Sequence, residues 1–346
     1  MKHFGTKTMT TTSSNRRIAL ALFAACIITG LATMGHAETA VDPTSDSGTS
    51  NIQMHGPEFV GVKLDAARGG MTLIRVTAFR GEYLDARVAR SRDRWTRRVL
   101  HATDLIGVHW VERWCTEDGR CENTIYRITG AARDTATNTM PQHSDNRDVW
   151  LYDVEATDAA RPTEADWRAV CDPDAHGLTQ GLFLTGDFHA DGSMSNRGYT
   201  FSCTAGVIAK CVRDWGYKPW KSLVSGRGER VDMRPLHRAC TRAVRADYCG
   251  DGISYTRDGT MIDVFDRYGF NVRESGGGFV AEAGFSPTGA TWVSRTRWPI
   301  GARVAEEMMR LPQCARPTST PKEPLPSLIT VWSLPRERTA TVTSGS

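Results

Sequence analysis

Cysteine content constrains this chain more than any other feature of its sequence. The 346 residues contain nine cysteines, and one of them, Cys26, lies inside an apolar N-terminal run. Removal of that run leaves an even number of cysteines, which is typical of disulfide-bonded exported proteins. We predict four disulfides among Cys115, Cys121, Cys171, Cys203, Cys211, Cys240, Cys249 and Cys314.

The N-terminus has the three-part layout of a secretory signal. Residues 1–17 are polar, residues 18–34 are apolar, and Gly35-His36-Ala37 offers a small-x-small cleavage site. We predict cleavage after Ala37 and a secreted or periplasmic protein. An uncleaved anchor, a lipidated Cys26 and the twin-arginine route are the alternatives. No later stretch is long and apolar enough to span a membrane, so none is expected after cleavage.

Whole-chain charge gives no case for a nucleic-acid partner. The 43 Lys and Arg residues exceed the 39 Asp and Glu residues by four, and the four cations of residues 1–17 account for the difference. The mature chain is therefore balanced, and we predict no nucleic-acid binding. A hydrophobic fraction of 40% and a charged fraction of 24% are those of an ordinary globular protein.

Two disulfide pairings are suggested by local pattern. Alternating apolar strands flank residues 115–121, which include an Asp-Gly turn signal. A hairpin with a cysteine at each strand end places the two Cβ atoms within bridging distance, so we predict Cys115–Cys121. Cys211 and Cys240 are a second possible pair, because each lies on the apolar face of a predicted helix.

Composition divides the chain into five segments and predicts an α+β fold. These are a signal peptide over 1–37, a flexible linker over 38–57, a β-rich region over 58–160, a cysteine-rich α+β domain over 161–314 and a disordered Pro/Ser/Thr-rich tail over 315–346. In the cysteine-rich domain we expect two packed helices and β-hairpins.

The two expected helices follow from apolar spacing. Ile208, Cys211, Val212 and Trp215 predict a helix over about 205–215. A second helix begins near Asp232. Further predictions are an Arg-rich helix over 87–98, with its charges in solvent, hairpins over 253–265 and 279–294, and a short helix over 303–311.

Three stretches of the cysteine-rich domain are distinctive. They are residues 201–220, residues 236–252 and residues 256–263, and the second contains Ala246-Asp247-Tyr248-Cys249. Together they resemble the ADYC domain family of exported bacterial proteins, which is named for those four residues. The resemblance implies an extracytoplasmic, cysteine-stapled domain and implies no particular reaction.

No catalytic motif is assembled in the sequence, and three residues are weak candidates for acid–base chemistry: His237, Asp247 and Asp251. A packed core histidine is the simpler interpretation of His237. The helix dipole disfavours an acid near a helix C-terminus, so Asp247 is expected to have an arginine partner. The candidates for that partner are Arg245, Arg257 and Arg267.

Metal and ligand sites are predicted less firmly. His237, Cys240, Cys249 and Cys211 could form a tetrahedral zinc set if the thiols stayed reduced, but we predict no metal and no cofactor. Asp-Gly pairs are ordinary turn formers, so we expect turn and cap roles for an acidic cluster whose spacing does not fit a calcium loop. Its members are Asp247, Asp251, Asp258, Asp263 and Asp266.

Two aromatic residues next to lysines form the candidate binding site. Tyr217 and Trp220, beside Lys218 and Lys221, could stack on a sugar ring or a peptide, and a turn held by aromatic packing is the alternative. Our leading hypothesis is an exported, disulfide-stabilised binding or structural module with an envelope polymer or a protein as partner. The alternative is an exported hydrolase of an envelope polymer, and a metal-binding thiolate protein is the third possibility.

Overall fold

The computed structural model describes residues 53–65, 70–90, 94–115, 119–135, 146–188, 194–256, 260–273, 278–297 and 327–333. The predicted signal peptide, the predicted helix over 303–311, Asp258 and Cys314 lie outside these residues. Every helix in the described part of the chain is too short or too polar to cross a bilayer.

These residues form seventeen β-strands, two α-helices and three short 3-10 helices. The strands are β1 (Gln53–Gly56), β2 (Phe59–Asp65), β3 (Gly70–Arg80), β4 (Tyr83–Ala89), β5 (Thr96–His101), β6 (Val108–Cys115), β7 (Cys121–Arg133), β8 (Trp150–Thr157), β9 (Arg168–Ala169), β10 (Gly181–Phe188), β11 (Met194–Cys203), β12 (Ser222–Val224), β13 (Arg230–Asp232), β14 (Ile262–Asp266), β15 (Val280–Ser286), β16 (Gly289–Val293) and β17 (Ile329–Ser333). The helices are α1 (Val207–Arg213) and α2 (Met233–Arg245), and the 3-10 helices are Ala102–Leu105, Asn146–Asp148 and Glu164–Asp166.

The predicted α+β fold class, with two packed helices as its main feature, is wrong. The described residues form a mainly β fold, built from large antiparallel sheets to which two helices are minor additions. The error has a physical cause. A helical period is visible within one segment, whereas a strand reveals its sheet only through partners that are distant in sequence.

An eleven-stranded antiparallel sheet contains the first core. Its order is β1-β11-β10-β8-β7-β6-β2-β3-β4-β5, and β9 pairs with β8. The sheet curls so that β3 meets β10, as the hydrogen bond from the Phe79 N–H to Thr185 Oγ1 at 2.7 Å shows. Aromatic rings fill the enclosed space. Phe59 lies 5.3 Å from Tyr199 and 5.2 Å from Trp110 between ring centroids, and Phe79 stacks on Phe183 at 5.0 Å.

A second core lies between α2 and a four-stranded antiparallel sheet of order β14-β17-β15-β16. The two cores are joined by α1, whose Ile208 and Val212 pack in a third apolar cluster with Leu182 and Leu184 of the large sheet. Strands β12 and β13 form a separate two-stranded hairpin that leads into α2. Both helices lie where their apolar spacing predicts them.

Two predicted unstructured segments contain strands. Gln53–Gly56, inside the predicted linker, pairs with β11 as β1 and buries Met54 in the first core. Ile329–Ser333, inside the predicted disordered tail, is β17 and lies between β14 and β15. Pro, Ser and Thr in the surrounding sequence obscured the alternation of buried Ile329, Val331 and Ser333.

Two further local predictions are also wrong. The described residues of 87–98 are not helical, because they include the end of β4 and the start of β5. Earlier in β4, Leu84 and Ala86 alternate into the core. The predicted hairpin over 253–265 does not occur in its described residues, because 253–256 are not a strand and β14 pairs with β17 instead. The predicted hairpin over 279–294 is confirmed as β15 and β16.

Disulfides tie these elements together. Cys171 is bonded to Cys203, and Cys211 on α1 is bonded to Cys240 on α2. Cys121 and Cys249 each take part in a further disulfide bond. The backbone of Cys115 lies directly opposite Cys121 in the β6–β7 register, as the predicted Cys115–Cys121 pair requires.

We predict that removing the Cys211–Cys240 disulfide lowers the free energy of unfolding, because the unfolded chain gains conformational entropy. The bond closes a 29-residue separation, so the Cys211→Ala/Cys240→Ala variant is expected to lose about 3 kcal/mol of unfolding free energy. Urea titration of the oxidised protein measures the loss. The Cys171→Ala/Cys203→Ala variant, with a separation of 32, is the matched comparison. An unchanged urea midpoint in the first variant would contradict the prediction.

Candidate functional site

The Ala246-Asp247-Tyr248-Cys249 segment ends helix α2, and we call it the ADYC turn. Ala246 takes the left-handed conformation at φ 55°, and its N–H caps the helix by donating to the carbonyls of Arg242 and Ala243. A non-glycine residue in this conformation is strained by roughly 1–2 kcal/mol, so the surrounding contacts must hold it. The left-handed step turns the chain back, and the Asp247 N–H donates to the Arg242 carbonyl at 2.9 Å.

Asp247 is a buried anchor of this turn. Its carboxylate, 1% exposed, forms an ion pair with the Arg242 guanidinium. It also accepts hydrogen bonds from the N–H groups of Gly250 at 2.8 Å and Gly252 at 3.0 Å. Burial raises the pKa of Asp247, although Arg242 acts in the opposite direction.

An arginine partner for Asp247 was expected, but the predicted candidates Arg245, Arg257 and Arg267 did not include the residue that fills the role. The reversal of the chain at Ala246 brings Asp247 back over the last turn of α2, where Arg242 lies. Arg245 donates instead to the Gly252 carbonyl.

Tyr248 belongs to a second buried network. Its hydroxyl donates to Glu282 at 3.1 Å and accepts from the Arg297 N–H at 2.7 Å. The Arg297 guanidinium is paired with Glu282 at 2.7 Å, and also donates to the carbonyls of Ala243 at 2.8 Å and Val244 at 2.7 Å. Burial, followed by the nearby Glu282 charge, raises the pKa of Tyr248. These atoms are committed to one another, which leaves no open position for a substrate.

Close backbone approach completes the ADYC turn. Gly250 has φ +72°, and a Cβ there would lie 1.9 Å from the Thr288 carbonyl oxygen. The neighbouring Ala290 N–H donates to the Tyr248 carbonyl at 2.8 Å. The turn therefore fits directly against the β15–β16 hairpin.

His237 lies on the buried face of α2, against α1. It is completely buried, its Nε2 is 3.1 Å from the Ile208 carbonyl oxygen, and its ring meets Phe188 edge-on at 5.5 Å. Burial lowers the pKa of His237 to about 4. This is the packed, hydrogen-bonded histidine of the simpler sequence interpretation, and its Nδ1 makes no hydrogen bond to the described residues.

His237 is not brought together with the other two acid–base candidates. More than two helical turns separate His237 from the end of α2, where Asp247 is paired with Arg242. Asp251 is exposed, and its carboxylate accepts the Ile253 N–H at 3.0 Å.

We predict that His237 makes the protein sensitive to acid. The contribution of neutral His237 to the free energy of unfolding is fully present well above pH 6.5, where this histidine is neutral in the folded and the unfolded states. Between pH 6.5 and about 4 the unfolded chain takes up a proton that the folded protein excludes, so stability falls with decreasing pH. The full loss is about 3 kcal/mol. His237→Gln keeps a donor for Ile208 and should flatten this part of a urea-midpoint against pH curve.

The exposed His176 provides the control for that measurement, since His176→Gln should leave the curve unchanged. An equally steep curve in the His237→Gln variant would contradict the assignment of this acid sensitivity to His237.

We predict unequal losses of stability when Asp247 of the ADYC turn and Asp251, which follows it, are each replaced by alanine. Asp247→Ala leaves Arg242 buried without its carboxylate, and breaking such a pair costs about 3–5 kcal/mol of unfolding free energy. Asp251→Ala, at an exposed position, should cost less than about 1 kcal/mol. Thermal and urea unfolding of the two variants compare them directly. Equal losses in both variants would contradict the structural role of Asp247.

No metal centre is formed by the residues described. Cys211 and Cys240, two members of the alternative zinc set, are bonded to each other, and no group of three potential ligands occurs in the described ranges. Asp266 has the expected turn role, because its carboxylate accepts the N–H groups of Tyr268 and Asn271 at 2.9 Å and 2.7 Å.

The accessible candidate is a cleft between the large sheet and the loop after α1, which we call the lysine cleft. Its volume is about 340 Å³, at the small end of the range for ligand pockets. Four of its lining side chains are cations and two are carboxylates. The lining residues are Glu82, Arg133, Arg147, Asp148, Gly216, Lys218, Lys221 and Leu223.

Asp148 organises the wall of the lysine cleft. Its carboxylate accepts from Lys218 Nζ at 2.5 Å, Lys221 Nζ at 2.7 Å and Trp220 Nε1 at 3.2 Å. Burial acts to raise the pKa of Asp148, but the hydrogen bonds from the two lysines outweigh it and lower that pKa. One carboxylate therefore holds two ammonium groups, and the wall keeps a positive excess.

The two predicted binding aromatics have different environments. Tyr217 is completely buried and its hydroxyl donates to Asp266 at 2.9 Å, so its ring offers no surface to a ligand. Trp220 is half-buried and also borders a smaller cavity of about 150 Å³ lined by Arg80, Thr185 and Asn196, among others. A Cβ at Gly81 would lie 2.2 Å from the Asp148 carbonyl oxygen and 3.3 Å from Trp220 Nε1, so the close approach of the Asp148 backbone requires this glycine.

The sequence indicated Lys218, Lys221 and Trp220, but it did not predict the other charged residues that line the lysine cleft. Arg133, Arg147 and Asp148 flank a polar loop, and Glu82 lies in the turn between β3 and β4. Nothing local in these segments indicates a shared cleft.

The fold and these contacts define a disulfide-bonded, mainly β protein in which the polar side chains of the ADYC turn are bonded within the fold. The ADYC domain family model matches residues 56–299, and the chain therefore belongs to the ADYC domain family. No curated protein and no solved structure matches the chain.

Proposed function

We propose that this protein is an exported binding module that holds an acidic sugar of an envelope polymer in the lysine cleft. The observation that carries the proposal is the composition of the cleft, in which four cations face two carboxylates. A ligand carboxylate would complete this arrangement through charge-assisted hydrogen bonds. Trp220, which donates to the cleft residue Asp148 and lines the neighbouring smaller cavity, offers an aromatic edge of the kind that lies against sugar rings.

Disulfides support the exported location. Bonds such as Cys171–Cys203 and Cys211–Cys240 persist in oxidising compartments and are rare in the cytosol. The N-terminal sequence, with its expected cleavage after Ala37, points the same way. We therefore propose a secreted or periplasmic protein.

Binding is favoured over hydrolysis by the contacts of the acid–base candidates. A general acid or base must reach a substrate, yet His237 is completely buried and Asp247 is engaged by Arg242 and two backbone N–H groups. Within the lysine cleft, Asp148 is held by two lysines. These contacts suit recognition and lend little support to the hydrolase alternative.

Calorimetric titration with two matched probes tests the proposal. D-galacturonate should bind and D-galactose, which lacks the carboxylate, should bind at least ten-fold more weakly. Lys221→Gln and Arg133→Gln, at partly exposed positions, should each weaken galacturonate binding about ten-fold, because each removes one charge-assisted contact. Lys218 is kept because it is almost fully buried against Asp148.

Arg230→Gln is the control, since Arg230 is exposed on β13 and does not line the cleft. Equal affinity for the charged and neutral sugars, or equal losses in the control and the cleft variants, would overturn the proposed function.

A further inference from the structure

Three arginines form a row across the outer face of the large sheet, and we call it the arginine row. Arg75 of β3 lies directly opposite Arg87 of β4, and Arg87 lies directly opposite Arg97 of β5. Neighbouring strands are about 4.8 Å apart, so the three side chains start from closely spaced points. Ile74, Val76 and Ala86, which alternate with them, are buried in the core. The row therefore faces outward.

The positive charge of the row is poorly compensated. The guanidinium groups of Arg87 and Arg97 make no hydrogen bond or ion pair with any part of the chain that the structure describes, and both side chains are exposed. Arg75 has a long 3.5 Å contact with Glu58 and lies over the Trp95 ring at 5.1 Å. The nearby Asp85 is already paired with Arg80 at 2.7 Å.

Protection of the sheet edge explains only part of this arrangement. A charged residue on an edge strand discourages pairing with another chain, and Arg97 on β5 fits that role. Arg87 lies one strand further in and Arg75 lies two strands in. Like charges directly opposite each other destabilise a sheet. A repulsive row that extends inward from the edge is therefore better explained by an anionic partner.

We propose that the arginine row binds a linear acidic polysaccharide lying across β3, β4 and β5. Guanidinium groups bind carboxylates and sulfates through paired hydrogen bonds, and a polymer with one acid per sugar ring presents such groups in a line. A membrane surface is the competing partner, because Met71, Tyr83 and Val99 of the same three strands are exposed apolar residues, and the vesicle measurement below separates the two.

This inference deepens the proposed function and rests on it for the class of ligand, but it uses different residues. Arg87 lies five positions along β4 from Glu82 of the lysine cleft, and none of the three arginines lines that cleft. A polymer can occupy both surfaces, whereas a single sugar can test the cleft alone.

Binding of long-chain polygalacturonate to the full mature protein tests the row. The Arg87→Gln/Arg97→Gln variant should bind at least ten-fold more weakly and with a shallower dependence on salt, because two screened contacts are lost. Its melting temperature should be unchanged or higher, since the substitutions remove like-charge repulsion. Arg230→Gln, at an exposed position outside the row, should bind as the unmodified protein does.

Separate probes distinguish failure of the row from failure of the cleft. The row variant should keep its affinity for monomeric galacturonate, and Lys221→Gln should keep the salt dependence contributed by the row. The inference is overturned if polygalacturonate does not bind, if the row variant binds it as tightly as the unmodified protein, or if the row variant loses binding only to phosphatidylglycerol vesicles.

Discussion

The buried pair of Glu282 and Arg297 is the interaction on which the rest of the second core depends. The last carbonyls of a helix lack intrahelical donors and carry partial negative charge. Arg297 donates to two such carbonyls, those of Ala243 and Val244, while it is paired with Glu282 on β15. A buried ion pair is tolerated only when its remaining hydrogen bonds are satisfied, and Tyr248 and Thr256 satisfy more of them. The pair thus fixes a helix end and a strand, and the Tyr248 hydroxyl joins the ADYC turn to it through Glu282.

This commitment decides where a ligand can bind. The polar groups of the ADYC turn are hydrogen-bonded within the fold. Clefts that are open to solvent therefore lie between other segments. Tyr217 is anchored to Asp266 beside the small sheet, and Lys218 and Trp220 are anchored to Asp148 beside the large sheet. A short loop is therefore held at both ends, and the lysine cleft forms between it and the large sheet. Rigid support of this kind lowers the ordering cost of binding.

The range of an interaction along the chain determined what the sequence could predict. The spacing of Ile208 and Val212 gives α1 because helical contacts are local. Strand β17 was missed because its partner Ile262 lies far from Ser333, and a Pro-rich setting conceals its alternation. The arginines of 87–98 likewise concealed the inward alternation of β4. For the same reason, one wall of the lysine cleft could be predicted from clustered lysines, and Arg133 on the other wall could not.

Balanced net charge conceals a surface that is locally basic. Several acids are neutralised inside the protein by arginines, as Asp134 is by Arg213 at 2.8 Å and Glu282 is by Arg297. Buried pairs contribute to the charge count but little to the field outside. Exposed charges act over about 8 Å at physiological ionic strength, so the lysine cleft and the arginine row each act on what lies directly against them. Whole-chain charge therefore predicts solubility and long-range attraction, whereas the proposed recognition of an acidic polymer depends on where the exposed cations lie.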